Sequence, residues 1–172
     1  MTAVLRFCLV LVFACASLAA ASAQTPKSAG SFKDWQAYTY SDKGKKVCYI
    51  ASAPIESEPQ NVRRSDIFFL VTHRPGQNVT DEINLYLGYP IKPNGPVSVE
   101  IEGQRFKLDI KDENAWTKSA DQDVKLVAAM IKGNDMTVRG ISKRGTRTVD
   151  RYSLLGFTAA HEAIDKACGL SK

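Results

Sequence analysis

The chain has 172 residues, of which 44% are hydrophobic and 24% charged, and its formal net charge is +5 at pH 7. This length suits one domain with its own core rather than two. The positive excess allows attraction to acidic polysaccharide, lipid headgroups or nucleic acid, but it requires none of them.

The N-terminus has the three parts of a secretory signal peptide. Arg6 precedes an apolar run from Phe7 to Ala20, which ends in the small residues Ala21-Ser22-Ala23. This pattern is typical of an exported protein, and the run is shorter than the ~20 residues of a membrane-spanning helix. We therefore expect cleavage after Ala23 and a periplasmic or secreted product with no transmembrane segment. Cys15 allows lipid attachment as an alternative, but the apolar run continues past it.

Two of the four cysteines remain after this cleavage. Cys8 and Cys15 lie in the leader, so Cys48 and Cys168 are left as a pair in an oxidising compartment. A reactive thiol would need a C-x-x-C pair or a nearby base, and the sequence shows neither. We therefore predict a structural disulfide that closes nearly the whole mature chain, worth up to ~4.7 kcal/mol in the loop-entropy account.

Strand-like runs separated by turns fill most of the mature chain. Residues 24–31 are small and polar and predict a flexible leader, and residues 32–172 predict a single domain. Alternating apolar residues between turn signals predict about eight strands in this domain. They lie near 32–40, 47–53, 67–71, 83–87, 97–102, 106–111, 136–142 and 147–155.

Two segments show helical periodicity instead. The first runs from Ser119 to Gly133, with Ser119 and Gln122 as a capping box and Gly133 as a left-handed stop. Its predicted buried face consists of Val124, Val127, Ala128 and Ile131. The second runs from about Thr158 to Cys168 and stops at Gly169. Its predicted buried face consists of Phe157, Ala160, Ile164 and Ala167.

Many short strands with close hairpin turns and only two helices favour a mostly antiparallel, immunoglobulin-like β-sandwich. A small closed barrel is the alternative. Because indole rings bury large areas in such domains, we interpret Trp35 and Trp116 as core anchors rather than ligand-stacking platforms.

The sequence contains no recognisable catalytic or metal-binding motif. His73 and His161 neighbour no nucleophile signature, so we interpret them as surface or satisfied polar residues. Asp109, Asp112 and Glu113 lack the alternating spacing of a calcium loop. We therefore expect no enzyme activity, no cofactor and no metal; a small extracytoplasmic enzyme with an unrecognised site is the alternative.

A basic cluster surrounds the last predicted hairpin turn. Its members are Lys143, Arg144, Arg147 and Arg151. Arginine forks match sulfate, phosphate or carboxylate, so the cluster is a candidate anion-binding surface. The alternative is a solvated turn whose charges discourage edge pairing, with Asp150 offsetting part of the charge.

An ordered set of motifs runs through the mature chain. In order they are Trp35, Cys48, Phe106-Lys107-Leu108, Ala115-Trp116, the helix 124–130, the turn motif 139–146, the run 150–160 and Cys168. No single piece is specific, but the set resembles the invasion-associated locus B family of exported bacterial proteins. The resemblance implies an extracytoplasmic β-sandwich, secreted or envelope-associated, linked in some pathogens to host-cell entry and without assigned catalytic residues or cofactor.

These observations lead to a functional hypothesis. We expect a non-enzymatic exported protein, a monomer, that binds through its surface to a protein or glycan of the cell envelope or host surface. The alternative within the same class is a periplasmic housekeeping protein that binds an anionic envelope component. Nucleic acid is the least expected partner for an exported chain.

Overall fold

The structure of the protein is a computed structural model that describes residues 25–170. The predicted signal peptide, residues 1–23, and its cleavage position lie outside the described residues. Within residues 25–170, no helix is long and apolar enough to cross a membrane.

Eleven strands and two helices form an open, mostly antiparallel β-sandwich-like fold, which confirms the predicted fold class. The strands are β1 Lys27–Phe32, β2 Trp35–Asp42, β3 Lys45–Ser52, β4 Glu56–Glu58, β5 Phe68–Arg74, β6 Val79–Tyr86, β7 Val97–Ile101, β8 Gln104–Lys111, β9 Asn114–Trp116, β10 Asp135–Ile141 and β11 Arg147–Ser153. The helices are α1 Ala120–Lys132 and α2 Phe157–Cys168. The eight predicted strands are all present, and β1, β4 and β9 are additional.

Strand β8 joins the two layers of the fold. The hydrogen-bonded order is β1-β2-β3-β5-β6-β9-β8-β7-β10-β11-β4, and every neighbouring pair is antiparallel. The first part of β8, Gln104–Leu108, pairs with β7, whereas Asp109–Lys111 pairs with β9. We call β1, β2, β3, β5, β6 and β9 the first sheet, and β7, β10, β11 and β4 the second sheet. Because β1 and β4 are edges, the fold is not a closed barrel.

Part of the predicted flexible leader, residues 24–31, is a strand instead, because Lys27–Phe32 forms β1. This strand pairs with β2 through a register shift between Ser28 and Gly30, and α2 packs against it. Backbone N–H and C=O groups pair equally well whatever small side chains they carry. The backbone hydrogen bonds to β2 therefore hold this edge strand in place. Its polar side chains show no hydropathy pattern that would predict a strand.

The core lies between the sheets and beneath α2, with an aromatic group at its centre. The Trp35 ring centroid lies 4.9 Å from that of Phe157 and 6.3 Å from that of Phe69, and its Nε1 donates to Ser153 O at 3.0 Å. Trp35 is thus a core residue, as predicted. Trp116 is only half-buried, because Ala115 faces the core and strand alternation turns its neighbour outward.

Helix α1 has the predicted position, but its buried face is different. Val124 and Ile131, predicted to be buried, are 52% and 44% exposed. The Asp123 carboxylate accepts the Ile83 N–H at 3.0 Å and the Thr117 hydroxyl, so the helix turns this acid toward β6. The residues that it buries are Asp123, Leu126, Val127 and Met130.

The predicted caps of α1 are also different. The Ser119 side chain makes no capping hydrogen bond, and Gln122 Oε1 instead accepts the Lys118 N–H at 3.3 Å. Gly133 is extended, with φ −84°, rather than left-handed. A Cβ at Gly133 would lie 2.6 Å from Ile101 Cγ2, so the glycine provides room against β7.

Helix α2 is fastened over the first sheet by a disulfide. Cys48 of β3 and Cys168 at the end of α2 are bonded, with their Cα atoms 6.0 Å apart, as the sequence predicted. The helix ends at a left-handed Gly169, with φ 71°. Its Phe157, Ala160 and Ile164 are fully buried, so the predicted apolar face packs onto the core.

The revised face of α1 gives a direct test. Leu126→Ala should lower the free energy of unfolding by about 2–5 kcal/mol, because it leaves a cavity at a fully buried position. Val124→Ala, the matched control on the exposed face, should change it by less than about 0.5 kcal/mol. Urea denaturation of both variants measures this difference, and equal losses would contradict the observed orientation.

Candidate functional site: a basic cleft

A cleft of ≈ 620 Å³ lies where four connections meet. One is the segment between β4 and β5, the second follows β6, the third is the β8–β9 turn and the fourth is the β10–β11 turn. The residues that determine its chemistry are Arg63, Arg64, Tyr89, Glu113, Lys143 and Arg144. We call this the basic cleft.

The floor of the basic cleft is a buried ion pair. Arg64 Nη1 and Nη2 donate to the two carboxylate oxygens of Asp150, each at 2.7 Å. Arg64 Nε and Nη2 also donate to Leu87 O, at 3.1 and 2.8 Å. The Asp150 side chain is 1% exposed and that of Arg64 7%. This two-pronged geometry fixes the guanidinium plane and compensates the buried carboxylate.

Tyr89 completes the floor. The Arg64 guanidinium carbon lies 5.0 Å from the centre of the Tyr89 ring, a cation–π contact. The Tyr89 hydroxyl lies 2.6 Å from Thr148 Oγ1, and burial raises the pKa of Tyr89. A Cβ at Gly140 would lie 2.5 Å from the Tyr89 hydroxyl, so this glycine makes room for the ring.

The rim of the basic cleft carries free positive charge. Arg63, Lys143 and Arg144 are exposed, and none of them forms an ion pair within residues 25–170. The Lys143 N–H donates to Pro90 O at 2.7 Å, which fixes the turn beside the floor. Within residues 25–170, Glu113 is the one acidic residue in the lining of the cleft. The site therefore presents a rigid floor with a net positive rim.

The four residues of the basic cluster that the sequence indicated lie at two separate places in the structure. Lys143 and Arg144 line the cleft. Arg147 and Arg151 alternate with the buried Thr148 and Asp150, so they lie together on the outer face of the second sheet. There Arg151 pairs with Glu56 at 3.3 Å.

Sequence reasoning missed Arg63 and Arg64, because the segment around them has no periodic pattern. A usable signal was Asp150, an acid at an inward-facing strand position between the buried Thr148 and Tyr152. A charge at such a position requires a partner, because burial of an unpaired carboxylate is very costly. Arg64 supplies this partner from a distant part of the chain.

A second concavity lies on the outer face of the first sheet. This groove has a volume of ≈ 510 Å³ and is lined mainly by Gln36, Tyr38, Tyr49, Ile55, Phe68 and Leu70. The Tyr38 and Tyr49 rings are stacked, with centroids 5.2 Å apart. We call it the aromatic groove.

The two histidines meet two aspartates beneath α2. His161 Nε2 lies 2.6 Å from Asp81 Oδ1, and its Nδ1 lies 3.3 Å from Asp165 Oδ2. His73 Nε2 lies 3.1 Å from Asp165 Oδ1, without the alignment of a hydrogen bond. We call these four residues the histidine cluster. No sequence pattern predicted this cluster, because His73 and His161 belong to β5 and α2, which are far apart in the chain.

The donor atoms of His73, His161 and Asp165 lie within 4.8 Å of one another, a spacing that suits a metal ion. The proton on His73 argues against one. The Asp81 N–H donates to His73 Nδ1 at 3.0 Å, so the neutral ring carries its proton on Nε2, the atom that a metal would need. Asp109, Asp112 and Glu113, which lack the spacing of a calcium loop in the sequence, belong to no group of metal-binding spacing within residues 25–170.

The buried floor predicts a large stability effect. Arg64→Met should lower the free energy of unfolding by about 3–5 kcal/mol, because it leaves the Asp150 carboxylate buried without a partner. Arg151→Met removes an exposed pair with Glu56 and should cost at most about 1 kcal/mol. Urea denaturation compares the two variants, and a small loss for Arg64→Met would show that the pair is not the anchor of the floor.

Comparison with known proteins identifies the family. Among solved structures, the crystal structure of invasion associated protein B from Bartonella henselae superposes with a TM-score of 0.59 at 16% sequence identity. The match covers 82% of this chain and 96% of that chain, and at this identity it shows the shared fold. No curated protein matches the chain. The model of the family "Invasion associated locus B (IalB) protein" matches residues 35–165, most of the chain, so this protein belongs to the invasion associated locus B family.

Proposed function

We propose that the protein is a non-enzymatic exported binding protein whose basic cleft takes an anionic group of its partner. The group is a carboxylate, phosphate or sulfate on a glycan of the bacterial envelope or the host-cell surface. One observation carries this proposal. Arg63, Lys143 and Arg144, brought together from distant parts of the chain, surround one cleft without ion-pair partners among the described residues.

The chemistry of the cleft suits such a group. Arg64 is already neutralised by Asp150, so it shapes the floor and leaves the binding charge to the rim. Arg63 and Arg144 can each donate two parallel N–H bonds to an oxyanion, and Lys143 adds a compact charge. Exposed charges of this kind are screened by salt, so binding should weaken as ionic strength rises.

The family and the disulfide support an extracytoplasmic setting. Members of the invasion associated locus B family are exported, and disulfides persist in oxidising compartments. Our proposal includes cleavage after Ala23 and a monomer that stays in the periplasm or leaves the cell. The link to host-cell entry is proposed from the family name and has to be tested for this protein.

The aromatic groove supports a second candidate function. Its stacked Tyr38 and Tyr49 rings lie beside Phe68 and Leu70, and the exposed Asp34 is the one charged residue in its lining. Aromatic faces of this kind take uncharged sugar rings or apolar side chains. A neutral partner would therefore bind here and would be insensitive to salt.

Retention on a sulfated heparin-like resin tests the first candidate. The protein should elute at a defined salt concentration, and Arg63→Ala with Arg144→Ala should shift elution to markedly lower salt. The matched control is Arg139→Ala with Arg147→Ala, which removes the same charge from the outer face of the second sheet. Equal shifts for both double variants would show non-specific attraction and contradict the cleft.

A pull-down from envelope extract and from host-cell surface proteins separates the two candidates. A partner lost on Arg63→Ala with Arg144→Ala, but kept on Tyr38→Ala with Tyr49→Ala, supports the basic cleft. The reverse pattern would show that the partner binds in the aromatic groove. A saturable host-surface partner would support a role in host-cell entry, whereas a partner found only in the envelope would support a housekeeping role.

A further inference from the structure

The ring of His73 is almost completely enclosed, and its Nδ1 atom already accepts a hydrogen bond. The side chain is 1% exposed, on the inner face of β5. The Asp81 N–H donates to Nδ1 at 3.0 Å, which links the ring to the start of β6 across the Pro75–Gln77 turn. Nδ1 must therefore keep its lone pair in this structure.

We propose that His73 is an acid-sensitive latch for helix α2, a residue whose protonation loosens the helix. A second proton on its ring has to sit on Nδ1, where the Asp81 N–H already points. Two N–H donors would then face each other at 3.0 Å. The contact has to open, and the start of β6 has to move away from the ring. Asp81 is also the acceptor for His161 of α2 at 2.6 Å, so this movement pulls on the helix.

Charged groups of β6 and α2 surround His73 and act on its protonation. Asp81 of β6 and Asp165 of α2 attract a proton to His73, whereas His161 of α2, with its ring centroid 5.3 Å away, repels one. Glu162 adds a negative charge near His161. The neighbouring residue of β3, Cys48, is in the disulfide and does not titrate.

His73 and His161 respond to pH in opposite directions. Burial lowers the pKa of His73. Its folded state therefore resists protonation, and stability is lost as the pH falls below about 6.5, the ordinary histidine value, toward the folded pKa.

Burial also lowers the pKa of His161, but its hydrogen bond to Asp81 and the charges of Asp81 and Asp165 outweigh burial and leave the pKa raised. The stability from His161 is therefore fully present below about 6.5 and is lost as the pH rises through the folded pKa. Burial raises the pKa of Asp81 as well, but the bond from His161 outweighs it and leaves that pKa lowered. Mild acid therefore weakens the cluster through His73 alone.

Hydrogen–deuterium exchange of the oxidised protein at about pH 7 and about pH 5 tests the latch across the range in which histidines titrate. After correction for intrinsic exchange rates, protection of residues 74–81 and 157–168 should fall in acid. The contribution of His73 to this fall should be up to about tenfold for each unit between its folded and unfolded pKa, and the opposite response of His161 reduces the net fall. Protection that falls no further in acid than in the His73→Asn variant would overturn the proposal.

His73→Asn is the decisive variant, because its side-chain oxygen can accept the Asp81 N–H and does not titrate. It should keep its protection in acid, and a fall equal to that of the unmodified protein would also overturn the proposal. Glu162→Gln, an exposed change on the same helix, should keep the acid response.

A nitrogen NMR measurement on the unmodified protein covers the case in which His73→Asn does not fold. It should find His73 protonated on Nε2 alone near neutral pH. A proton on Nδ1 there would exclude the latch.

Discussion

The pairing of Arg64 with Asp150 decides where the basic cleft of this protein lies. A carboxylate at an inward-facing position of β11 is tolerated only with a partner, and that partner is 86 residues away in the chain. The irregular segment between β4 and β5 is thereby drawn across the second sheet, and Arg63 comes to lie beside the β10–β11 turn. The Arg64–Asp150 pair therefore brings Arg63 toward Lys143 and Arg144, so an interaction that serves stability also positions a candidate binding group.

Helix α2 is held by two attachments of different chemistry. The Cys48–Cys168 bond fixes its C-terminal end irrespective of pH. The contacts of His161 with Asp81 and Asp165 depend instead on whether the histidine rings are protonated. An exported protein experiences the pH of its surroundings more directly than a cytoplasmic one. In the proposed latch, protonation of His73 loosens the helix, and the Cys48–Cys168 bond keeps its C-terminal end attached.

Local patterns predicted much of this fold, and long-range contacts account for what they missed. The eight main strands and the positions of both helices follow from periodicity and turn residues, and the disulfide follows from counting cysteines. The face of α1 could not be predicted from apolar spacing, because the hydrogen bonds of Asp123 to Ile83 and Thr117 orient it.

The candidate site was predicted only in part. The sequence indicated a cluster of basic residues, but strand alternation separates Arg147 and Arg151 from the cleft. The histidine cluster and the Arg64 floor join distant segments. An inward-facing Asp150 indicates that a partner is needed, but no local pattern identifies Arg64 as that partner.

The disulfide also has a topological consequence. It joins positions 120 residues apart, so in the oxidised state residues 48–168 form a closed ring with a tail on either side, and β1 and β2 lie in the tail before the ring. Pulling on either terminus can extend only those tails, because the ring does not open while the bond lasts. A pore that threads one extended polypeptide would have to admit two strands side by side. Any export step that uses single-file threading must therefore precede oxidation, and any later passage has to carry the domain whole.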